Sequence, residues 1–224
     1  MISGVIFDHD GTLVDTEKQH YRIWRDLLQE LGHHFPEEDY IRNHNGIPTI
    51  ESAARLVRRF ELAMTVEQFC HIKQKRVLDA QEIPPLMSGA WEILHYLHGL
   101  GVPLAVATGA RFPEVDRNLR HHGLDRFFSA VCTASHVERN KPLPDVYLLA
   151  AEKLGLAPSE CLAVEDTATG MRSAVAAGMP CIVIPSANLG TVDFTAAAQI
   201  MSDLPALQYW LNREFRNRVS EVAG

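Results

Sequence analysis

Apolar positions along the 224-residue chain fall into two alternating patterns. Short runs rich in β-branched and aliphatic residues occur at Gly4–Phe7, residues 102–107, residues 130–133, Cys161–Glu165 and residues 181–184, with a weaker one at 199–201. Between them lie stretches of helical periodicity that stop at Gly123, Gly155 and Gly178, where a left-handed C-terminal residue is easiest for glycine. Pro113 and Pro144 fit the first turns of two of these helices. Strand and helix patterns in alternation predict an α/β fold, a parallel sheet assembled from βα units. No internal repeat or low-complexity segment interrupts it.

One connection departs from the rhythm. The first strand ends at Phe7 and no second parallel strand is apparent until Val102, a gap far longer than a βα crossover needs. Helical signals fill it. Thr16 to Gln19 and Thr65 to Gln68 both match a capping box, in which a Thr and a Gln three residues on satisfy orphan backbone N–H groups. Trp24, Leu27, Leu28 and Leu31 follow the first box at helical spacing, and Gly32 closes that helix. A second helix is expected after Pro48 on Ala53, Leu56, Val57 and Phe60, and a third over residues 66–80. Pro84-Pro85 forms a stiff return. The repeated caps favour a separate helical bundle over an irregular extension: residues 16–87 are expected as an inserted domain, with residues 1–15 and 88–224 as the α/β core.

Composition narrows the function. Lys and Arg total 21 against 28 Asp and Glu, a net charge of −7, so the chain has no global basic field for nucleic acid. No apolar run reaches the roughly 18–20 residues that span a bilayer, and the acidic stretch at Asp8 follows Met1 too closely for a signal peptide. The four cysteines, Cys70, Cys132, Cys161 and Cys181, are widely spaced among apolar neighbours and read as buried thiols. A cytoplasmic protein without nucleic-acid or membrane partners is expected.

The chemistry gathers at strand ends, because ligands of open parallel sheets bind beyond the carboxyl ends of the strands. There the sequence delivers Asp8-His9-Asp10-Gly11-Thr12 after the first strand, Thr108-Gly109 after the second, and Glu165-Asp166-Thr167 near the fourth, with Lys141 in the loop after the third. Carboxylates converging on one edge repel one another unless a cation joins them, and hard oxygen ligands suit Mg²⁺. One carboxylate can attack phosphorus, a second two residues on can serve as acid and base, and Thr and Lys can hold phosphate oxygens. Asp-x-Asp-Gly-Thr alone would also suit an Asx turn. Its order with Thr108, Lys141 and Glu165-Asp166 favours metal-assisted phosphoryl transfer.

These segments resemble the haloacid dehalogenase superfamily over essentially the whole chain. Asp8 to Asp15 resembles the first motif of that family, Thr108 stands where the second has Ser or Thr, Lys141-Pro142-Leu143-Pro144-Asp145 resembles the third, and Val164-Glu165-Asp166 with Gly170 resembles the fourth. The insert is placed like the small helical cap of the branch that includes β-phosphoglucomutase and many sugar-phosphate phosphatases. The resemblance implies a Rossmann-like core, Asp8 as nucleophile and Asp10 as general acid/base. It also implies Mg²⁺ held by Asp8, the backbone carbonyl of Asp10 and Asp166, with Glu165 near the metal. Thr108 and Lys141 would bind the phosphoryl group; Gly109 is read as a backbone N–H donor to phosphate. Dehalogenases lack the second aspartate of motif one, which is present here as Asp10.

Within that branch the chain reads as a phosphatase of a small phosphorylated metabolite, in the sugar-phosphate class and workable as a monomer. The mutase clamps a second phosphate with an Arg just after the position of Gly46, where this chain has Ile47-Pro48-Thr49-Ile50-Glu51. Arg42, Lys73 or Lys75 remain available for that task. His20 in the first cap helix, with Asn43 and Asn45, is expected to contact substrate, and Arg111 stays open. His9 is expected to point to the opposite face of the strand end, and the pairs His33-His34 and His121-His122 are read as solvated helix ends. A third reading is a non-catalytic Mg²⁺-binding regulator, against which Asp10 and the cap argue.

Overall fold

The structure, a computed structural model, describes residues 2–186 and 192–222. The chain leaves β1 (Gly4–Phe7) for four helices, α1 (Glu17–Glu30), α2 (Glu37–Asn43), α3 (Thr49–Arg59) and α4 (Val66–Asp79). It then returns through α5 (Ala90–Gly99), β2 (Leu104–Ala107), α6 (Phe112–His121), β3 (Ala130–Cys132), α7 (Asp145–Leu154), β4 (Cys161–Glu165), α8 (Ala168–Ala176), β5 (Cys181–Val183), β6 (Gln199–Ile200) and α9 (Leu204–Val222). All strand pairs are parallel, in the order β3-β2-β1-β4-β5-β6. From β1 the chain builds outward first through β2 and β3, then on the other side through β4 to β6. The order therefore reverses between β1 and β4, which opens a crevice at their carboxyl ends.

Alternation along the strands explains the layers. Val5 and Phe7 of β1, with Leu104, Val106, Leu162 and Val164, pack under α5, α6 and α9. Ile6, Ala105, Ala107 and Ala163 face the other way onto α7 and α8. All four cysteines are buried and free, and burial lifts the Cys132 and Cys161 thiols to about 11. They behave as small apolar residues. Among the described residues no helix is long and apolar enough to cross a membrane.

The four helices of the insert enclose an apolar core of their own, built on Trp24, Leu27, Leu28, Phe35, Leu56, Phe69 and Val77. Four helices stand where three were expected. The additional one, α2, is seven residues long and buries only Tyr40, too little periodicity to register in the sequence. The capping box at Thr65 forms, its hydroxyl accepting from Gln68 N at 3.2 Å while Gln68 Oε1 accepts from Thr65 N at 2.8 Å. The one at Thr16 does not. Thr16 adopts helical angles with no side-chain cap, and Gln19 Nε2 instead donates to the Glu82 carbonyl at 2.9 Å, tying α1 to the return segment. Leu31, expected on the apolar stripe, ends α1 and is exposed. Thr65→Ala is therefore expected to cost about 1 kcal/mol in urea denaturation, whereas Thr16 contributes nothing as a cap.

The two crossings between core and insert run side by side. Asp15 N donates to Pro85 O at 2.8 Å and Met87 N to Leu13 O at 2.9 Å. His122 is not the solvated helix end expected of it: its Nε2 lies 2.7 Å from the Pro84 carbonyl. Arg117 of α6 reaches the carbonyls of Leu78 and Ala80 at 2.9 and 3.2 Å. These contacts set the insert over the crevice.

Candidate active site

The loop leaving β1 is drawn tight by backbone bonds. Asp8 N donates to Val164 O at 2.9 Å, and Leu13 N and Val14 N both donate to His9 O at 3.0 Å. Gly11 makes this possible, because its φ is +77° and a Cβ there would collide with the Asp166 carboxylate. The turn thus brings Asp8 and Asp10 over the end of β4.

Lys141 occupies the centre. Its ammonium donates to Asp8 Oδ1 and to Glu165 Oε1, both at 2.6 Å, and lies 4.9 Å from the centroid of the Tyr147 ring. Glu165, fully buried at the end of β4, also accepts from Tyr147 Oη at 2.8 Å and from Thr167 Oγ1 at 3.2 Å. Its oxygens are thereby braced from both sides. Gly170 in α8 packs so closely on this carboxylate that an added Cβ would overlap it. Gly170→Ala is expected to destabilise the fold by at least about 2 kcal/mol and to lower activity by shifting Glu165 and hence Lys141, measurable by thermal melts alongside turnover.

Burial and charge set the protonation states. Burial raises the Asp8 carboxyl to about 7; Lys141 pulls it back, and Glu165 and Asp10 push it further up. Asp166 is raised well above its ordinary range by burial and by Asp8 and Glu165. Burial alone would discharge Lys141, but the two carboxylates it touches outweigh that and raise it. Fully ionised, the three carboxyl groups would outweigh the one ammonium, and the raised Asp8 and Asp166 register that excess. Carboxylate oxygens of Asp8, Glu165 and Asp166 lie within 4.8 Å of one another, and Asp166 Oδ1 is buried without a hydrogen-bond partner. Hard oxygen donors, excess charge and an unpaired oxygen together fit a divalent cation such as Mg²⁺.

Asp10 stands on the opposite side, facing the insert. Thr108 Oγ1 lies 3.4 Å from its Oδ2. His9 is fully buried and does not line the cleft, and its Nδ1 lies 3.2 Å from Asp10 Oδ1. Burial would raise Asp10, but His9 reverses it and holds the carboxyl low. His20 Nε2 is 3.9 Å from the same oxygen, while its Nδ1 faces Lys73 Nζ at 3.2 Å. Burial and then Lys73 pull His20 down to about 3, so it is neutral.

Core and insert enclose a cleft of about 510 Å³. Asp8, Asp10, Thr108, Gly109, Lys141, Asp166 and His20 line it, as do Arg111 and residues 46–50. Glu165 lies behind that wall. Asn43 and Asn45 are corrections: neither lines the cleft. Asn43 closes α2, is exposed, and donates to Asp39 Oδ1 at 2.7 Å; what read as a polar loop is the end of a helix. Of the spare cations, Lys73 enters the cleft and Arg42 and Lys75 do not. Tyr147, Asn140 and Glu114 join the site from outside the four motifs. Asn140 adjoins Lys141 and holds the Gly109 carbonyl at 3.1 Å, but Tyr147 and Glu114 look in the sequence like ordinary helix residues.

A family model described as haloacid dehalogenase-like hydrolase matches residues 5–184. The chain is 34% identical over 184 residues to fructose-1-phosphate phosphatase YqaB of Escherichia coli, covering 80% of this chain and 95% of that one. It is 31% identical over 202 residues to a phosphorylated carbohydrates phosphatase of Thermotoga maritima, covering 88% and 92%. In structure it is similar to CbbY of Rhodobacter sphaeroides solved in complex with phosphate, with a TM-score of 0.81, 28% identity, and coverage of 92% and 96%.

Proposed function

The chain belongs to the haloacid dehalogenase-like hydrolases, and from that premise we propose that it is a Mg²⁺-dependent phosphatase of a small phosphorylated metabolite, a sugar phosphate in class. The observation that carries this reading is Lys141, its ammonium 2.6 Å from Asp8 and from Glu165 beside the unpaired oxygen of Asp166. Such a centre suits a divalent cation and a phosphate group. Relatives named for fructose 1-phosphate and phosphorylated carbohydrates support the substrate class.

In this reading Asp8 and Asp166 would hold the metal with the Asp10 backbone carbonyl, and Glu165 would lie alongside. Bound Mg²⁺ supplies positive charge that offsets the repulsion between Asp8 and the phosphate oxygens. Lys141, Thr108 and the Gly109 backbone orient the phosphoryl group. An Asp8 oxygen forms a bond to phosphorus as the ester P–O bond breaks, and the leaving oxygen takes the proton of Asp10. Water then gives a proton to Asp10 and attacks the phosphoryl group on Asp8, restoring both carboxylates' starting states and releasing phosphate. The His9 contact favours Asp10 as carboxylate, which suits the base half of the cycle. Residues 16–87 act as the cap that excludes bulk water. The protein works as a cytoplasmic monomer, each core and cap forming one complete site.

Phosphate release measured over a panel of hexose 1- and 6-phosphates tests the reading. Turnover is expected with Mg²⁺ and is expected to fall at least about 100-fold with EDTA; undiminished turnover would remove the metal from the mechanism. Inactivity across the whole panel and on p-nitrophenyl phosphate would return the regulator. The mutase reading draws on Lys73, a cation inside the cleft. Against it, residues 46–50 line the same cleft without an arginine. Phosphorus NMR with β-glucose 1-phosphate and a bisphosphate primer separates the two: free phosphate is expected, and glucose 6-phosphate accumulating without it would establish the mutase.

A further inference from the structure

Three acidic side chains that line the cleft, Glu17, Glu67 and Glu114, have no task in phosphoryl transfer, and one of them has an unpaired buried oxygen. Glu114, in the first turn of α6, is 8% exposed, and its Oε1 is buried without a hydrogen-bond partner. An unpaired buried acceptor is costly, and native folds retain few of them. Its position gives the acceptor a use. One oxygen of Glu114, one of Asp10 and a ring nitrogen of His20 all lie within 4.8 Å of one another. The oxygen that leaves phosphorus must sit against Asp10 to receive its proton, so Glu114 faces whatever the leaving alcohol carries beside that oxygen.

The three groups have the chemistry of a cation site as well, but Lys73 argues against one. Its ammonium is 3.2 Å from His20 Nδ1, which makes Nδ1 an acceptor and leaves the hydrogen on Nε2, the nitrogen nearer Asp10. His20 then has no lone pair to offer on that side, and the positive charge there is already supplied. Burial raises the Glu114 carboxyl, with Lys73 opposing. An alcohol hydroxyl, which both donates and accepts, can pair with the group in either protonation state.

We propose that Glu114 determines specificity by accepting a hydrogen bond from the hydroxyl on the carbon next to the phosphate-bearing carbon, so that the preferred substrates are polyol or sugar 1-phosphates with a free 2-hydroxyl. Oxygens on neighbouring carbons stand about one hydrogen-bond length apart, and two carboxylates this close can each take one of them. The assignment rests on the phosphatase reading above and adds to it which alcohol is chosen. A 6-phosphate of a pyranose, whose adjacent carbon carries the ring oxygen, offers no such donor and is disfavoured.

The test compares kcat/KM for mannitol 1-phosphate and its 2-deoxy counterpart in wild type, Glu114→Gln and Glu114→Ala. Wild type is expected to prefer the hydroxylated member by roughly 10- to 100-fold. Glu114→Ala is expected to bring that ratio to within about 2-fold of unity, and Glu114→Gln, which keeps the shape and a weaker acceptor, to an intermediate value. A general loss of activity through packing cancels in the ratio. An unchanged ratio in Glu114→Gln, or no preference in wild type, overturns the assignment while leaving the phosphatase reading intact. Failure of the wild type to release phosphate from any ester, p-nitrophenyl phosphate included, overturns the reading beneath it.

Discussion

Asp8→Asn is expected to reduce kcat by at least about 10⁴-fold and to leave no protein-bound phosphoryl group detectable by intact mass, while the chain stays folded. An amide has no nucleophilic oxygen able to form and later release an acyl phosphate, so the loss should lie in the chemical step rather than in KM. Folding survives because the asparagine carbonyl still accepts from Lys141, which keeps its second bond to Glu165 at 2.6 Å. The substitution also removes a carboxylate that burial has pushed up to about 7. Turnover by Asp8→Asn at the wild-type rate would end the covalent mechanism.

Lys141→Met should have the largest effect on stability. Its ammonium is the shared partner of two buried carboxylates, and removing one member of such a group leaves charges that nothing compensates. Without metal, the expected cost is roughly 3–5 kcal/mol, with at least about a 10³-fold loss of turnover when Mg²⁺ is restored. The pH dependence has a definite sign. Asp8 has a folded-state pKa raised from 3.8 to about 7, so between those values the folded protein holds a proton that the unfolded chain has released. Stability falls as pH rises through that window. Lys141 is the main influence pulling Asp8 back down, so in Lys141→Met the fall should continue above pH 7. The penalty should therefore be small near pH 4 and largest above 7, read by urea denaturation in EDTA across that range. A penalty independent of pH would mean that Lys141 acts through packing alone.

Both expectations begin from residues that a linear reading singles out, and the reason is physical. Aspartates, glycine and lysine placed immediately after strands announce themselves because a parallel sheet carries every strand end to one edge. Tyr147 has no such address. It braces Glu165 from α7 at 2.8 Å, yet it is one aromatic among the buried residues of an ordinary helix. Glu114 likewise reads as a favourable first-turn acid, and only the approach of α4 and its Lys73 turns that face into a wall of the cleft.

The insert shows the same division. Its presence follows from a gap too long for a crossover, and two of its helices from periodicity over fourteen and eleven residues. The capping pattern at Thr16 is chemically as good as the one at Thr65, but Gln19 finds a stronger tertiary partner in the Glu82 carbonyl. Asn43 was expected to face substrate because a run of polar residues resembles a loop. α2 instead spends that asparagine on Asp39.

Sequence alone determined the parallel sheet, the inserted helices, and the carboxylates and lysine at the strand ends, because hydrophobic period and strand-end position are local properties. Only the tertiary structure decided which partners those groups meet: that Lys141 bridges Asp8 and Glu165, that His9 contacts Asp10, and that Glu114 faces the cleft unpaired. Each of these depends on distances between elements far apart along the chain. Burial then converts those distances into charge states, as it does in lifting Asp8, and no local pattern encodes how deeply a side chain will be buried.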